Sequence, residues 1–279
     1  MDQIKIHDKS SLEFMYAAGR IAACALDKVE FFLNQNKYIQ TKDIDKLCRE
    51  YIIAEGGIPA CVGYQAFGAP PYQYTTCISI NDVACHGLPS DYVLAAGDIL
   101  NVDLVVDYQG WLGDTSRTFI FGGSANQIRT DLVKHAQTAM YKGAQVAKLG
   151  QNFSVIGAAI EDFCKSVHAG SYTVTPLRDY CGHGISNQMH EAPLVEHVRN
   201  SCETRIQPYL YFTIEPILIV GNDTRTYLQN DRWTVKTVSK RDTAQFEHTF
   251  GLDEDGVLRI FTTRDKAHEE LVRKEIYSA

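Results

Sequence analysis

Asp103, Asp114, Glu215 and Glu247, together with His183, each stand inside an apolar or glycine-rich run: NVDLVV, WLGDTSRTF, FTIEPI, AQFEHTF and YCGHGIS. Burying a carboxylate in a strand-like apolar run costs several kcal/mol unless something pairs with it. Arg117 is the one Lys or Arg in these runs, so cationic side-chain partners are scarce. A multivalent cation is the simplest way to neutralise such a set. Oxygen-rich ligands with a single imidazole suit Mn, Fe(II), Co or Zn, and carboxylates can bridge two such ions.

Taken singly, each of these residues also has a plainer explanation. If Asp107 to Gly110 forms a tight turn, the flanking strands pair so that Asp103 faces Asp114 directly. Like charges so placed destabilise a sheet, and a bound cation reverses that sign. Alternatively one aspartate caps the turn or pairs with Arg117 while the other is solvated. Gly182 and Gly184 strip bulk from either side of His183 and permit unusual dihedrals, although a lone histidine is more often structural. Glu215 precedes Pro216 in an apolar strand, where a solvated edge carboxylate is the bland reading. Glu247 lies between Phe246 and His248, and alternation puts one polar side chain on each face. His86 in NDVACHGLP and His190 in NQMHEAP are followed by turn-forming or kinking residues. An imidazole there can donate to a developing oxyanion or handle leaving-group protonation, and a surface-loop histidine fits equally well.

Helices and strands must bring these residues together. Ser10 to Glu13 reads as a capping box, with apolar residues from Phe14 to Val29 at helical spacing and an end near Asn36. Thr41 is expected to cap a second helix that stops at Gly56-Gly57. A loop over residues 63–76 leads to strand, turn and strand between Gly97 and Phe121. Ser124 to Gln127 reads as a second capping box opening a helix to about Leu149, and a fourth helix runs from Ser154 to before Gly170. Strand patterns return at TIEPILIV, TVKTV, AQFEHTF and VLRIF, with a short tail after Asp265. Helix, helix and strands therefore occur twice, in pseudo-repeats of about 10–123 and 124–262. No Gly/Ser-rich or Pro-rich linker separates them, so residues 1–279 are expected to form a single α+β domain with its site between the halves.

The 279 residues are 45% hydrophobic and 22% charged, with a net charge of −7. That balance argues against disorder and gives no support to nucleic-acid or membrane-surface binding. The opening residues MDQIKIHDKS are polar and no run of apolar residues is long enough to span a bilayer, so a cytoplasmic protein is expected. Cysteines 24, 48, 61, 77, 85, 164, 181 and 202 form no CxxC pair and read as reduced, mostly buried thiols. Cys85 and His86, as neighbours on a strand, should point to opposite faces.

The stretches CISINDVACHGLP, GDILNVDLVVDYQGWLGDTSRTF, YCGHGIS, MHEAP, FTIEPIL and WTVKTVSKRDTAQFEHT together resemble the type I methionine aminopeptidases, from about Ser11 to Thr262. That resemblance implies the pita-bread fold, with pseudo-twofold halves around a central antiparallel sheet, and two divalent metal ions (Co, Mn, Fe(II) or Zn). It implies that Asp103 binds one metal through two oxygens, that Asp114 and Glu247 bridge, and that His183 and Glu215 complete the other shell. His86 and His190 match the family's substrate-contacting histidines, and Glu215 its proton shuttle. The implied reaction is attack of a metal-bound hydroxide on the first peptide carbonyl. The implied substrates are nascent N-termini with a small second residue, met at the ribosome exit region, and the enzyme is expected to be a monomer. Tyr64, Cys77 and Trp233 match the methionine pocket. Departures are Met189 in place of an aromatic, Ser186 in place of a glycine, and a longer 65–76 loop that leaves Phe67, Tyr72 or Tyr74 as the second pocket aromatic. Because Asp2 is not small, such an enzyme would retain its own Met1. The nearest alternative is an X-Pro hydrolase on the same scaffold, whose members usually carry a further N-terminal domain. A catalytically dead binding module is another, although such modules tend to lose ligands.

Overall fold

Apolar residues repeated every three to four positions drive the chain into helix first. In the computed structural model, which describes residues 4–66, 68–169 and 172–279, α1 (Ser11–Gln35) buries Met15, Ala18, Ala22, Leu26, Val29 and Leu33 along one stripe. Its start differs from the expected capping box. Ser10 makes no side-chain cap, and the Asp8 carboxylate instead accepts from the Ser10 N–H at 2.9 Å. α2 (Thr41–Ala54) is capped one residue earlier than expected, by Gln40, whose N–H donates to Asp43 Oδ2 at 2.9 Å. Short strands β1 (Ile58–Pro59), β2 (Thr76–Ile80) and β3 (Val83–Cys85) precede the long pair β4 (Ile99–Tyr108) and β5 (Trp111–Ile120).

The second half repeats the plan. α3 (Gln127–Val146) starts at Asn126, whose side chain accepts from Arg129 N–H at 2.9 Å, and not at Ser124. After α4 (Ser154–Ser166) come β6 (His168–Ala169), β7 (Tyr172–Pro176), β8 (Cys181–Gly184), β9 (Glu191–Glu196), β10 (Tyr211–Ile214) and β11 (Ile217–Val220). β12 (Thr226–Leu228), β13 (Val235–Thr237), β14 (Thr243–Gln245), β15 (His248–Leu252) and β16 (Leu258–Ile260) complete the strands. The expected tail after Asp265 is a helix, α5 (Lys266–Ser278), capped by Asp265 and anchored by Val272 and Ile276. No described helix is long and apolar enough to cross a membrane.

Among the described residues the named strands pair antiparallel, in four sheets. β5 and the β1/β2 edge flank β4 in a four-stranded sheet; β16-β15-β10-β8-β9 has five strands, β14-β11-β7-β6 four and β12-β13-β3 three. The β16-β15-β10-β8-β9 and β14-β11-β7-β6 sheets are joined where the chain passes from one to the other at two breaks. β10 passes into β11 at Glu215–Pro216, and β14 into β15 at Phe246–Glu247. Proline has no N–H to donate, so a ladder through Pro216 cannot continue. α1 and α2 cover the first sheet through an apolar cluster including Leu26, Ile44, Ile52, Leu100 and Val102. α3, α4 and α5 cover the second half through Leu132, Ile156, Ile160, Phe212, Leu218 and Ile276.

Side chains of β4 and β5 stitch the halves together. Thr118 Oγ1 donates to the Gln245 carbonyl at 2.6 Å and accepts from its N–H at 3.0 Å. Asn101 Nδ2 also reaches that carbonyl, at 3.0 Å, and Glu247 N–H donates to the Ser116 carbonyl at 3.1 Å.

Candidate metal centre

Asp103 and Asp114 do not face each other directly, as a turn over Asp107 to Gly110 required. The turn residues are Gln109 and Gly110, both at positive φ (54° and 83°), so Tyr108 pairs with Trp111, Asp103 with Ser116 and Asp114 with Val105. A two-residue turn with both φ positive matches the strands' own twist, and Asp107 Oδ1 secures it by accepting from Gly110 N–H at 2.8 Å. The two-residue shift preserves parity, so both aspartates still project from one face as diagonal neighbours.

That face borders a cavity of about 550 Å³, which Asp103, Asp114, His183, Glu215 and Glu247 all line. Asp114, His183 and Glu247 are 5%, 5% and 2% exposed and each offers a ligand atom within 4.8 Å of the others. His183 Nε2 lies 3.8 Å from Asp114 Oδ2 and 3.5 Å from Glu215 Oε1. Asp103, partly buried, stands outside that tight trio, yet its charge is felt by Asp114, Glu215 and Glu247.

Arg117 is not a counter-ion here, because it pairs with Asp27 at 3.2 Å and Glu30 at 3.0 Å on α1. Among the described residues no Lys or Arg forms an ion pair with any of the four acids. Burial raises the pKa of all four carboxyls above the ordinary range, and mutual repulsion adds to it at Asp114, Glu215 and Glu247. His183 shifts the other way, pushed by burial to about 3, and so is neutral. Its Nδ1–H donates to the Gly184 carbonyl at 3.0 Å, which leaves the Nε2 lone pair aimed at the carboxylates. The donor set, oxygen-rich with one neutral imidazole, therefore fits divalent ions of the Mn, Fe(II), Co or Zn kind.

The glycines beside His183 serve close packing. A Cβ on Gly182 would sit 2.4 Å from the Thr213 carbonyl oxygen, and one on Gly184 2.3 Å from that of Ala192. Three residues that sequence reading passed over support the centre. Thr213 Oγ1 donates to Glu215 Oε1 at 2.9 Å and accepts from His183 N–H at 3.1 Å. Gln245 Nε2 donates to Glu215 Oε2 at 3.1 Å, and His197 Nε2 accepts from Glu215 N–H at 3.2 Å. Strand alternation was the available signal for Thr213 and Gln245, each two residues before an acid. His197 had none.

His86 and His190 both line the cavity and reach its open side. His190 Nδ1 is 2.5 Å from Tyr64 Oη, and its ring centroid is 4.4 Å from that of His183. His86 has a φ of 53°, which ends strand alternation and places Cys85 Sγ 3.8 Å from its Nδ1, contrary to the expected opposite faces. The Cys85 thiol is buried, and burial pushes its pKa well up, as befits an inert thiol. Tyr64, Cys77, Met189 and Trp233 line the same cavity, joined by Tyr72 and by Cys61, which was not foreseen. Of the other two aromatics considered, Tyr74 is absent from the lining, and Phe67 lies outside the described residues.

The same arrangement of chain is found in known proteins. Residues 13–254 match the Metallopeptidase family M24. The methionine aminopeptidase of Escherichia coli K12 is 38% identical over 266 residues, 94% of each chain. The crystal structure of methionine aminopeptidase from Rickettsia prowazekii superposes with a TM-score of 0.82 at 37% identity, covering 93% of this chain and 100% of that one. X-Pro aminopeptidase from Thermotoga maritima shares the fold at a TM-score of 0.67 and 19% identity, with 92% of this chain matching 62% of that one. The pita-bread architecture is thus the observed one, its sheet broken where the two glutamates stand. The family uses divalent metal ions. From the ladder that carries two acids, the strand breaks that carry two more, and these matches, the chain belongs to metallopeptidase family M24, on its methionine aminopeptidase branch.

Proposed function

We propose that this chain is a single catalytic domain that removes the initiator methionine from N-termini whose second residue is small. In this reading Asp103, Asp114, His183, Glu215 and Glu247 would hold two divalent ions. The observation that carries it is the convergence of four carboxylates and one neutral imidazole with no Lys or Arg ion pair among the described residues, beside a cavity lined by Tyr64, Cys77, Met189 and Trp233. When bound, such ions supply Lewis acidity toward the first peptide carbonyl and lower the pKa of water there. The chain's own residues do the rest. The sulfur and aromatic surfaces accept a thioether side chain, and the cavity excludes bulk water from the bond to be cut. His190, held by Tyr64, donates to the carbonyl oxygen as charge develops, and His86 contacts the peptide beyond it. Glu215, fixed through both oxygens by Thr213 and Gln245, carries the proton to the leaving amine. The enzyme works as a cytoplasmic monomer on nascent chains, at or near the ribosome exit.

The test is hydrolysis of Met-Ala-Ser by chelator-stripped protein, with Mn, Co, Fe(II) and Zn restored in turn and an X-Pro dipeptide as the competitor. Activity should vanish on stripping and return with at least one ion, with the X-Pro dipeptide left intact. Hydrolysis that survives complete chelation, or preference for X-Pro, would falsify the proposal.

A further inference from the structure

Glu191 directly follows His190 and is a buried carboxylate that the proposed reaction does not use. It is 9% exposed, and its oxygens organise the loop before it. Ser186 Oγ donates to Oε1 at 2.8 Å and to Oε2 at 2.9 Å, and Gln188 N–H donates to Oε1 at 3.0 Å. The loop is also tied to the tip of the β4–β5 hairpin, through Asn187 Nδ2 to the Gly110 carbonyl at 2.6 Å and Leu112 N–H to the Ser186 carbonyl at 2.8 Å. A carboxylate so enclosed needs a counter-charge. Among the described residues it has one, Lys5, whose Nζ lies 2.7 Å from Oε1.

Lys5 comes from the segment that precedes α1, and that segment is itself pinned. His7 N–H donates to the Tyr209 carbonyl at 3.0 Å. The His7 ring stacks on Tyr211 with centroids 5.6 Å apart and meets Trp111 edge-on at 4.9 Å. Lys5 is thereby delivered to the far side of the loop that carries Met189 and His190 into the cavity. We infer that residues 4–10 act as a strap that positions His190, working through the Lys5–Glu191 ion pair. Lys5 is neither one of the four acids nor one of the residues that line the cavity, so it is a positioning residue. Without it the Glu191 carboxylate has no cation to hold it inside, the 186–191 loop loosens, and His190 drifts from Tyr64.

The inference rests on the reading of His190 as a substrate contact, so one arm of the test avoids activity. In metal-free protein, Lys5→Met should speed amide exchange at Gln188 by about tenfold and leave Glu247 unchanged. In metal-loaded protein the same change should lower kcat on Met-Ala-Ser by about tenfold, with metal affinity preserved, because small displacements of a reacting group are costly. Lys5→Arg should restore both. Lys9→Met, which removes an exposed pair with Glu254 from the same segment, should change neither. In a Glu191→Gln background Lys5→Met should cost nothing further, since the two act through one contact. Unchanged exchange at Gln188, an equal loss in Lys9→Met, or additive losses in the double variant would each overturn the strap. Faster exchange with unaltered kcat would overturn its link to His190. Failure of the parent protein to cleave Met-Ala-Ser would instead sink the functional reading, and the exchange arm would still decide the strap.

Discussion

Asp103 and Asp114 project from an unbroken ladder, whereas Glu215 and Glu247 stand where ladders stop. β4 and β5 pair without interruption through ten rungs, from Ile99↔Ile120 to Tyr108↔Trp111. In the second half β10 pairs with β15 and β11 with β14, and the glutamates lie in the gaps between these pairings. An unbroken ladder fixes two side chains on one face at a set diagonal, but it cannot turn to meet a second sheet. A break can turn, and it frees backbone groups that must then be satisfied. Here His197 takes the Glu215 N–H, while Asn101 and Thr118 take the Gln245 carbonyl. The first half thus supplies rigidity and the second half supplies the change of direction, and the acids meet at the seam.

The most direct way to break this comparison is to neutralise one acid from each side. Asp103→Asn and Glu247→Gln should each reduce hydrolysis at saturating metal by about a thousandfold, roughly 4 kcal/mol of lost transition-state stabilisation. Their effects on the chelated protein should differ. Glu247 is 2% exposed and repelled by Asp114, Glu215 and Asp103, so Glu247→Gln should raise metal-free stability by about 2 kcal/mol. Asp103 is more open and its shift comes from burial alone, so its gain should be smaller. Thermal melts in excess chelator read the difference. Equal gains would show that both halves bury their acids alike.

Removing the ions should also change how stability responds to pH. All four carboxyls have pKa values raised above the ordinary 3.8 of Asp or 4.5 of Glu. The folded metal-free protein therefore binds more protons than the unfolded chain once pH exceeds those values. Stability must then fall as pH rises from about 4 through the raised folded values. Divalent ions bind the deprotonated form, so the stabilisation they add should grow over the same range. Melts with and without Mn at pH 5 and pH 8 would check it. A chelated protein as stable at pH 8 as at pH 5 would show that the acids are not sharing one enclosed site.

How far the sequence could be read follows the same division. The parity of Asp103 and Asp114 was legible because alternation survives a two-residue slip, although the slip itself was not, since Gln109 in a left-handed turn carries no signal. Glu215 was marked by the proline after it, which forbids a continuing ladder. The break at Phe246–Glu247 had no such mark, and the single strand expected over AQFEHTF became two, β14 and β15. α1 begins after Ser10 as expected, whereas the starts of α2 and α3 were misplaced by one and two residues, because Gln40 and Asn126 cap there in place of Thr41 and Ser124. α5 was missed although Asp265, Val272 and Ile276 carry its cap and apolar stripe. Gln245 had only strand alternation to mark it, and His197 could not be assigned, because its partner Glu215 is distant in the chain.

The finest test compares one backbone residue from each half. Gly110 holds φ at 83° in the hairpin turn, a conformation that costs an L-residue about 1 kcal/mol, so Gly110→Ala should lower the melting temperature by roughly 3 °C. The ladder between that turn and the aspartates has many rungs, so metal affinity should stay within twofold. Pro216 holds Glu215 extended, because the residue before proline is barred from helical dihedrals. Pro216→Ala should lose a similar stability, about 1 kcal/mol through the freed unfolded chain. In addition it should weaken Mn binding several-fold, since Glu215 then samples orientations in which Thr213 and Gln245 no longer hold its two oxygens. Calorimetric titration of both variants separates the outcomes. Equal weakening by Gly110→Ala would mean that strain at the hairpin tip travels down the ladder to Asp103 and Asp114, and that the first half is not the rigid partner.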